Sequence, residues 1–143
     1  MPLEFLSPLH KTTRQISLYL ERRTRDLGVS LGEGHLLTYL ASYAPAPIAE
    51  LVRVFGIKQS TFTSMLDRLE RAGLTRREIN PDDRRSFLIH ITDRGRRLAT
   101  ELNHHLTELE NRIRKQTSAG DARGFQAVMD AVQEITGVEL RRR

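Results

Sequence analysis

The chain has 143 residues, 23 Lys and Arg against 18 Asp and Glu, a formal charge of +5 and no cysteine. That length suits one domain, or one domain with a helical extension, and the absence of cysteine excludes disulfide scaffolds, thiolate zinc sites, iron–sulfur clusters and thiol catalysis. Leu, Ile, Val and Phe number 39, about 27% of the chain and above the roughly 20% below which a highly charged chain stays disordered, so a folded core is expected. No apolar run of about 18 residues and no signal-peptide core occurs, so no membrane association is expected, and the cytoplasm is the expected location.

Leu6, Leu9, Ile16 and Leu20 recur at helical spacing and share one stripe of a helix expected to end at Gly28. Ser30 followed by Glu33 predicts a capping box, in which hydroxyl and carboxylate each satisfy a backbone N–H, at the start of a helix from about Leu31 to Tyr43. Pro45 and Pro47 break the chain, and Pro47 is expected as the first residue of a short helix through Val54, closed by a turn at Phe55, Gly56 and Ile57. From Gln59 to Ala72, Phe62, Met65, Leu66 and Leu69 fall on one helical face, with Ser60, Thr61, Thr63, Ser64, Asp67, Arg68 and Arg71 opposite. Gly73 then provides the left-handed residue that ends such a helix.

The period changes after Gly73. Two short strands, over 74–79 and 86–91, are expected around a turn of Asn80, Pro81, Asp82, Asp83, Arg84 and Arg85. Thr92 is a helix cap with Asp93 at the positive helix end. Leu98, Leu102, Leu106, Leu109 and Ile113 carry that helix for six or more turns. Ser118 to Gly120 interrupts it, and Asp121 is expected to cap a last helix with Phe125, Val128, Val132 and Ile135 on one side. The expected fold class is therefore mainly α with a small β-hairpin wing.

The positive charge is concentrated. Residues 53–97 hold eleven basic and six acidic side chains, and the remainder is balanced at twelve and twelve. Such a footprint points to a polyanion, most often nucleic acid, although a solvated face gives the same count. The helix pair around Gly56 sharpens that reading, because a helix-turn-helix puts its second helix in the major groove, leading with short hydrogen-bonding side chains. Lys58, Gln59, Ser60, Thr61, Thr63 and Ser64 meet that need, with Arg68 one turn on for guanine or phosphate. At the hairpin tip, Arg84 and Arg85 suit the adjacent minor groove, and Asp83 suits pairing with Arg85 to hold its guanidinium in one orientation.

Glu50-Leu51, Phe55-Gly56-Ile57, Ser60-Thr61, Leu66-Asp67-Arg68-Leu69-Glu70, Gly73-Leu74, Arg76, Asp82-Asp83-Arg84-Arg85 and Thr92-Asp93-Arg94-Gly95 together resemble the winged helix-turn-helix of the MarR (multiple-antibiotic-resistance regulator) family. The specific part is the wing motif Asp-x-Arg, here Asp83 and Arg85, followed at the family's distance by Thr92-x-x-Gly95. It covers about 50 residues directly, and the flanking helices extend the pattern to nearly the whole chain. The resemblance implies a bacterial or archaeal homodimeric transcription regulator, usually a repressor, on double-stranded DNA with pseudo-palindromic operators. It also implies a recognition helix at 59–72, a wing at 79–87, a DNA-binding lobe at 30–97 and dimerisation helices at 1–28 and 98–143. The apolar stripes of those terminal helices agree, since a core this small cannot cover them.

Family members commonly sense a small aromatic molecule between the dimerisation helices and the DNA-binding lobe, which makes Tyr19, His35, Tyr39 and Tyr43 the effector-binding candidates. Ordinary packing explains the same aromatics. Peroxide sensing through cysteine is excluded, and no cofactor is expected. Glu101 with His105, or His104 with Glu108, places two metal-ligand types at i, i+4, with His35 as a distant third; three convergent ligands are not evident, so no metal site is assigned and a metal-responsive regulator stays an alternative. A winged-helix protein-interaction module would predict an apolar or acidic recognition face, whereas this one is hydroxyl-rich and basic. No phosphate loop, nucleophile elbow or zinc-hydrolase pattern occurs, so no enzyme is expected.

Overall fold

The computed structural model describes residues 3–138; residues 1–2 and 139–143 of the expected dimerisation helices lie outside the described residues. Helix α1 (Leu6–Thr24) leads into a 3₁₀ turn, Arg25–Leu27, and Gly28 follows at φ 74°. The α-helix thus stops one turn before the glycine expected to end it, its tail tightening as helix ends often do. Helix α2 (Leu31–Tyr43) starts on Ser30, whose Oγ accepts from the Glu33 N–H at 3.2 Å. The reciprocal half of the predicted box is not made, because the Glu33 carboxylate accepts instead from the Ser30 hydroxyl at 3.0 Å.

The proline segment also departs from expectation. Ala46–Pro47 forms a short strand, β1, and Pro47 is the N-cap of α3 (Ile48–Phe55) rather than its first residue. A proline can take this place because β1 is an edge strand, where a missing N–H costs no interior ladder bond. Helix α4 (Gln59–Arg71), strands β2 (Thr75–Ile79) and β3 (Phe87–Ile91), and helix α5 (Asp93–Gln116) follow. The hairpin lacks only its third strand in the sequence reading: the sheet is antiparallel with order β1-β3-β2, Ala46 opposite Ile89 and Arg77 opposite the same residue from the other side. Helix α6 (Ala119–Thr136) is capped by Ser118, not by Asp121. Asp121 completes a full capping box, accepting from the Ser118 N–H at 2.8 Å while its own N–H donates to Ser118 Oγ at 3.1 Å. The bond from the Ser118 backbone N–H first, and the Ser118 hydroxyl second, hold the Asp121 carboxyl below the usual carboxylate value.

One core joins α2, α3, α4, the sheet and the start of α5. It contains Leu36, Leu37, Leu40, Leu51, Phe62, Leu66, Leu69 and Ile89. Helix α2 runs through its centre, which is why its apolar residues surround the axis instead of forming a stripe. Its Gly34 faces α5 so closely that a Cβ there would lie 2.7 Å from Leu102 Cδ2. The second half of α5 and all of α6, by contrast, place no residue in that core.

Candidate nucleic-acid interface

Gly56, at φ 62°, reverses the chain between α3 and α4 and so sets the crossing of the helix pair. Helix α4 is fastened by Phe62, Met65, Leu66 and Leu69, all buried, at energies of about 1.5–3 kcal/mol for each large side chain. Its other face carries the predicted contacts into solvent: Gln59, Ser60, Thr61, Thr63, Ser64 and Arg68 are exposed, as is Lys58 just before the helix. No side chain caps the N-terminus of α4, so its backbone N–H groups and dipole suit an incoming phosphate. Thr63 Oγ1 donates to the Gln59 carbonyl at 2.9 Å and Ser64 Oγ to the Ser60 carbonyl at 3.2 Å. Each hydroxyl thereby keeps its acceptor lone pairs outward, matching amino donors of adenine or cytosine.

The wing tip is an ordered turn. Asn80 N–H donates to the Ser86 carbonyl and Ser86 N–H to that of Asp83, both at 3.0 Å. Asp83 Oδ1 accepts from the Arg85 N–H at 3.1 Å and lies 3.4 Å from Arg85 Nε, the pairing expected from the sequence. The Arg85 side chain is nevertheless 94% exposed, so its guanidinium projects from the tip with one edge steered by the carboxylate. Arg84 is exposed beside it. At the wing base, His90 Nε2 lies 2.6 Å from Glu78 Oε2 across the two strands.

Three arginines counted in the basic footprint serve the fold itself. Arg77 on β2 pairs with Asp67 and, at 2.8 Å through Nε, with Glu70; both carboxylates belong to α4, so the recognition helix and the wing are tied by one guanidinium. Arg94 donates to the Ala72 carbonyl at 2.8 Å and Arg96 to that of Ala41 at 3.0 Å, satisfying orphan carbonyls at the ends of α4 and α2. Composition could not separate these from groove-facing arginines. The i, i+3 spacing of Asp67 and Glu70 was the available hint for Arg77. A cleft of about 500 Å³ lies between α4 and the wing, with Gln59, Thr63 and Arg85 on its walls and Val52 and Arg77 behind them.

The four effector candidates fall into two groups. His35, Tyr39 and Tyr43 lie on successive turns of α2; the Tyr39 and Tyr43 rings are 4.7 Å apart between centroids, and Tyr39 meets Phe55 edge-on at 5.6 Å. Desolvation holds the His35 imidazole below its ordinary value, although part of the residue stays exposed. Tyr19 is elsewhere, its hydroxyl accepting from Arg112 Nη1 at 2.9 Å and its ring lying 3.6 Å beneath the Arg23 guanidinium. It lines a cleft of about 220 Å³ with Leu109 and Ile113 of α5. As for the metal alternative, no group of three or more His, Asp or Glu among the described residues is placed to hold an ion.

The sequence profile of the MarR family matches residues 29–87. Over 137 residues the chain is 31% identical to the HTH-type transcriptional regulator PecS of Dickeya dadantii, spanning 93% of this chain and 82% of that protein. The chain belongs to the MarR family. A second relative of this MarR-family protein, the HTH-type transcriptional regulator BilQ of Clostridioides difficile, is 23% identical and spans 88% of this chain and 86% of its own. The fold matches Staphylococcus aureus MepR in its DNA complex, with a TM-score of 0.84, 17% identity and coverage of 93% and 98% of the two chains. It also matches an Escherichia coli MarR variant complexed with operator DNA, with a TM-score of 0.77, 22% identity and coverage of 87% and 89%. PecS and BilQ are HTH-type transcriptional regulators, and the MarR-family protein is a winged helix-turn-helix transcription regulator, not an enzyme. Among the described residues no helix is long and apolar enough to cross a membrane.

Proposed function

We propose that this MarR-family regulator acts as a homodimeric repressor in the cytoplasm of a bacterial or archaeal cell. Residues 1–28 and 98–143 join the two copies, and each 30–97 lobe binds DNA. Each α4 enters a major groove of a pseudo-palindromic operator through Lys58, Gln59, Ser60, Thr61, Thr63, Ser64 and Arg68. Each wing, 79–87, enters the flanking minor groove through Arg84 and Arg85, with Asp83 steering the latter. The observation that carries the dimer is the apolar surface left on the terminal helices. Phe125 is 61% and Ile135 84% exposed, and a cleft of about 260 Å³ opens between Phe5 and Leu9 of the N-terminal region and Phe125 and Met129 of α6. Large apolar side chains in such number seek a partner, and a two-fold copy covers the same patch on both chains at once. The two recognition helices then stand about 34 Å apart, one turn of DNA.

Release by a small aromatic effector completes the reading. Tyr19 is the favoured contact, because it lines an open cleft with Leu109 and Ile113 of α5. Light scattering of the protein with its operator duplex tests both parts. Two chains per duplex are expected at micromolar concentration, and a panel of aromatic acids should contain one that dissociates the complex. One chain per duplex contradicts the dimer; a complex that survives the whole panel contradicts the effector.

A further inference from the structure

Glu33 stands outside both DNA-facing elements, on the first turn of α2, yet its carboxylate lies 3.5 Å from Arg68 Nη2 on the recognition helix. The two partners differ in freedom. The Glu33 side chain is 13% exposed and that of Arg68 54%. The same Glu33 Oε1 accepts from the Ser30 hydroxyl at 3.0 Å, and Ser30 Oγ accepts from the Glu33 N–H. The helix cap therefore fixes the carboxylate, and the arginine is the member that swings.

We propose that Glu33 is a specificity-determining positioning residue, holding the Arg68 guanidinium for a base edge and withholding it from phosphates. An arginine free to rotate meets a phosphate on any duplex, and each phosphate neutralised adds affinity without sequence information. The planar fork carries five donors. With one side of the guanidinium drawn to the Glu33 carboxylate at 3.5 Å, a second edge remains for the paired acceptors of a guanine. The fixed negative charge also repels a phosphate approaching that arginine, so selectivity is gained by penalising the wrong contact as well as by making the right one.

The proposal rests on Arg68 facing the major groove, and the test separates the two. Glu33→Gln keeps the shape, the backbone N–H that Ser30 accepts from and an oxygen for the Ser30 hydroxyl, and removes only the charge. Glu33→Gln, Arg68→Ala and the double variant are titrated by fluorescence anisotropy against the operator and a scrambled duplex in increasing salt. Glu33→Gln is expected to lower the operator-to-scrambled affinity ratio by about tenfold, and to steepen the log–log salt slope on scrambled DNA by about 1.8, one added phosphate contact from each of the two protomers. In the Arg68→Ala background it should change neither. A Glu33→Gln ratio and slope equal to wild type, with Arg68→Ala still weakening operator binding, overturns the role of Glu33 alone. Operator affinity untouched by Arg68→Ala overturns the placement of Arg68 and this proposal with it. An equal loss on both duplexes that tracks a lowered thermal midpoint makes Glu33 a helix cap only, and also overturns the proposal.

Discussion

Arg85→Ala is expected to weaken operator binding by about 1–3 kcal/mol, roughly five- to 150-fold in Kd, and to leave the folded protein intact. The separation of the two effects follows from exposure. Arg85 reaches Asp83 only at 3.4 Å and its side chain is 94% exposed, and exposed ion pairs of this kind contribute about 0–1 kcal/mol to stability. The turn that carries Arg85 is held by backbone bonds among Asn80, Asp83 and Ser86, none of which uses the guanidinium. In a narrow minor groove the same guanidinium meets concentrated negative potential. An anisotropy titration beside a thermal melt checks both parts. Unchanged operator affinity would remove the wing from the interface, and a collapse of the melt would make Arg85 a folding residue.

Gly95→Ala is expected to destabilise the protein by about 1–3 kcal/mol, although alanine in a helix ordinarily gains up to about 1 kcal/mol over glycine. Two opposed effects meet at this position, and the close approach wins. A Cβ on Gly95 would lie 2.2 Å from the Leu74 carbonyl oxygen and 2.8 Å from Ile91 Cγ1. The carbonyl is backbone and cannot rotate aside, and it already accepts from the Thr92 N–H at 3.1 Å. Thr92 Oγ1 donates to the Gly73 carbonyl at 2.7 Å and accepts from the Gly95 N–H at 3.1 Å. The Thr-x-x-Gly pattern is thus the joint where α5 seats on the end of the recognition helix and the start of the wing. Urea denaturation measures the cost, and a midpoint equal to or above wild type would contradict this account of the glycine.

Much of this architecture can be read from residue order because local rules and tertiary packing agree. The α4 face of Phe62, Met65, Leu66 and Leu69 and the Gly73 that ends it are written in spacing and chirality, and burial follows the same pattern. Strand β1 escapes a sequence reading because two residues, one a proline, carry no strand periodicity, and their partners Leu88 and Ile89 lie far along the chain. At the end of α5, the sequence points to Asp121 as the cap and to Ser118 only as part of the break; Ser118 leads because its backbone, at φ −99° and ψ 166°, is the one outside the helical region. The basic footprint was visible as composition, whereas the division of its arginines between groove and scaffold was not. Arg77 and Arg85 look alike in sequence and differ in whether carboxylates from another element lie within reach.

In the proposed complex, two symmetry-related α4 helices read bases in successive major grooves. Selection of binding sites from a pool of random duplexes tests it most directly. An enriched inverted repeat is expected, its half-site centres about 10–10.5 base pairs apart, with information concentrated where α4 and the wings reach. Enrichment of a lone half-site, or of duplexes with no shared sequence at all, would contradict it.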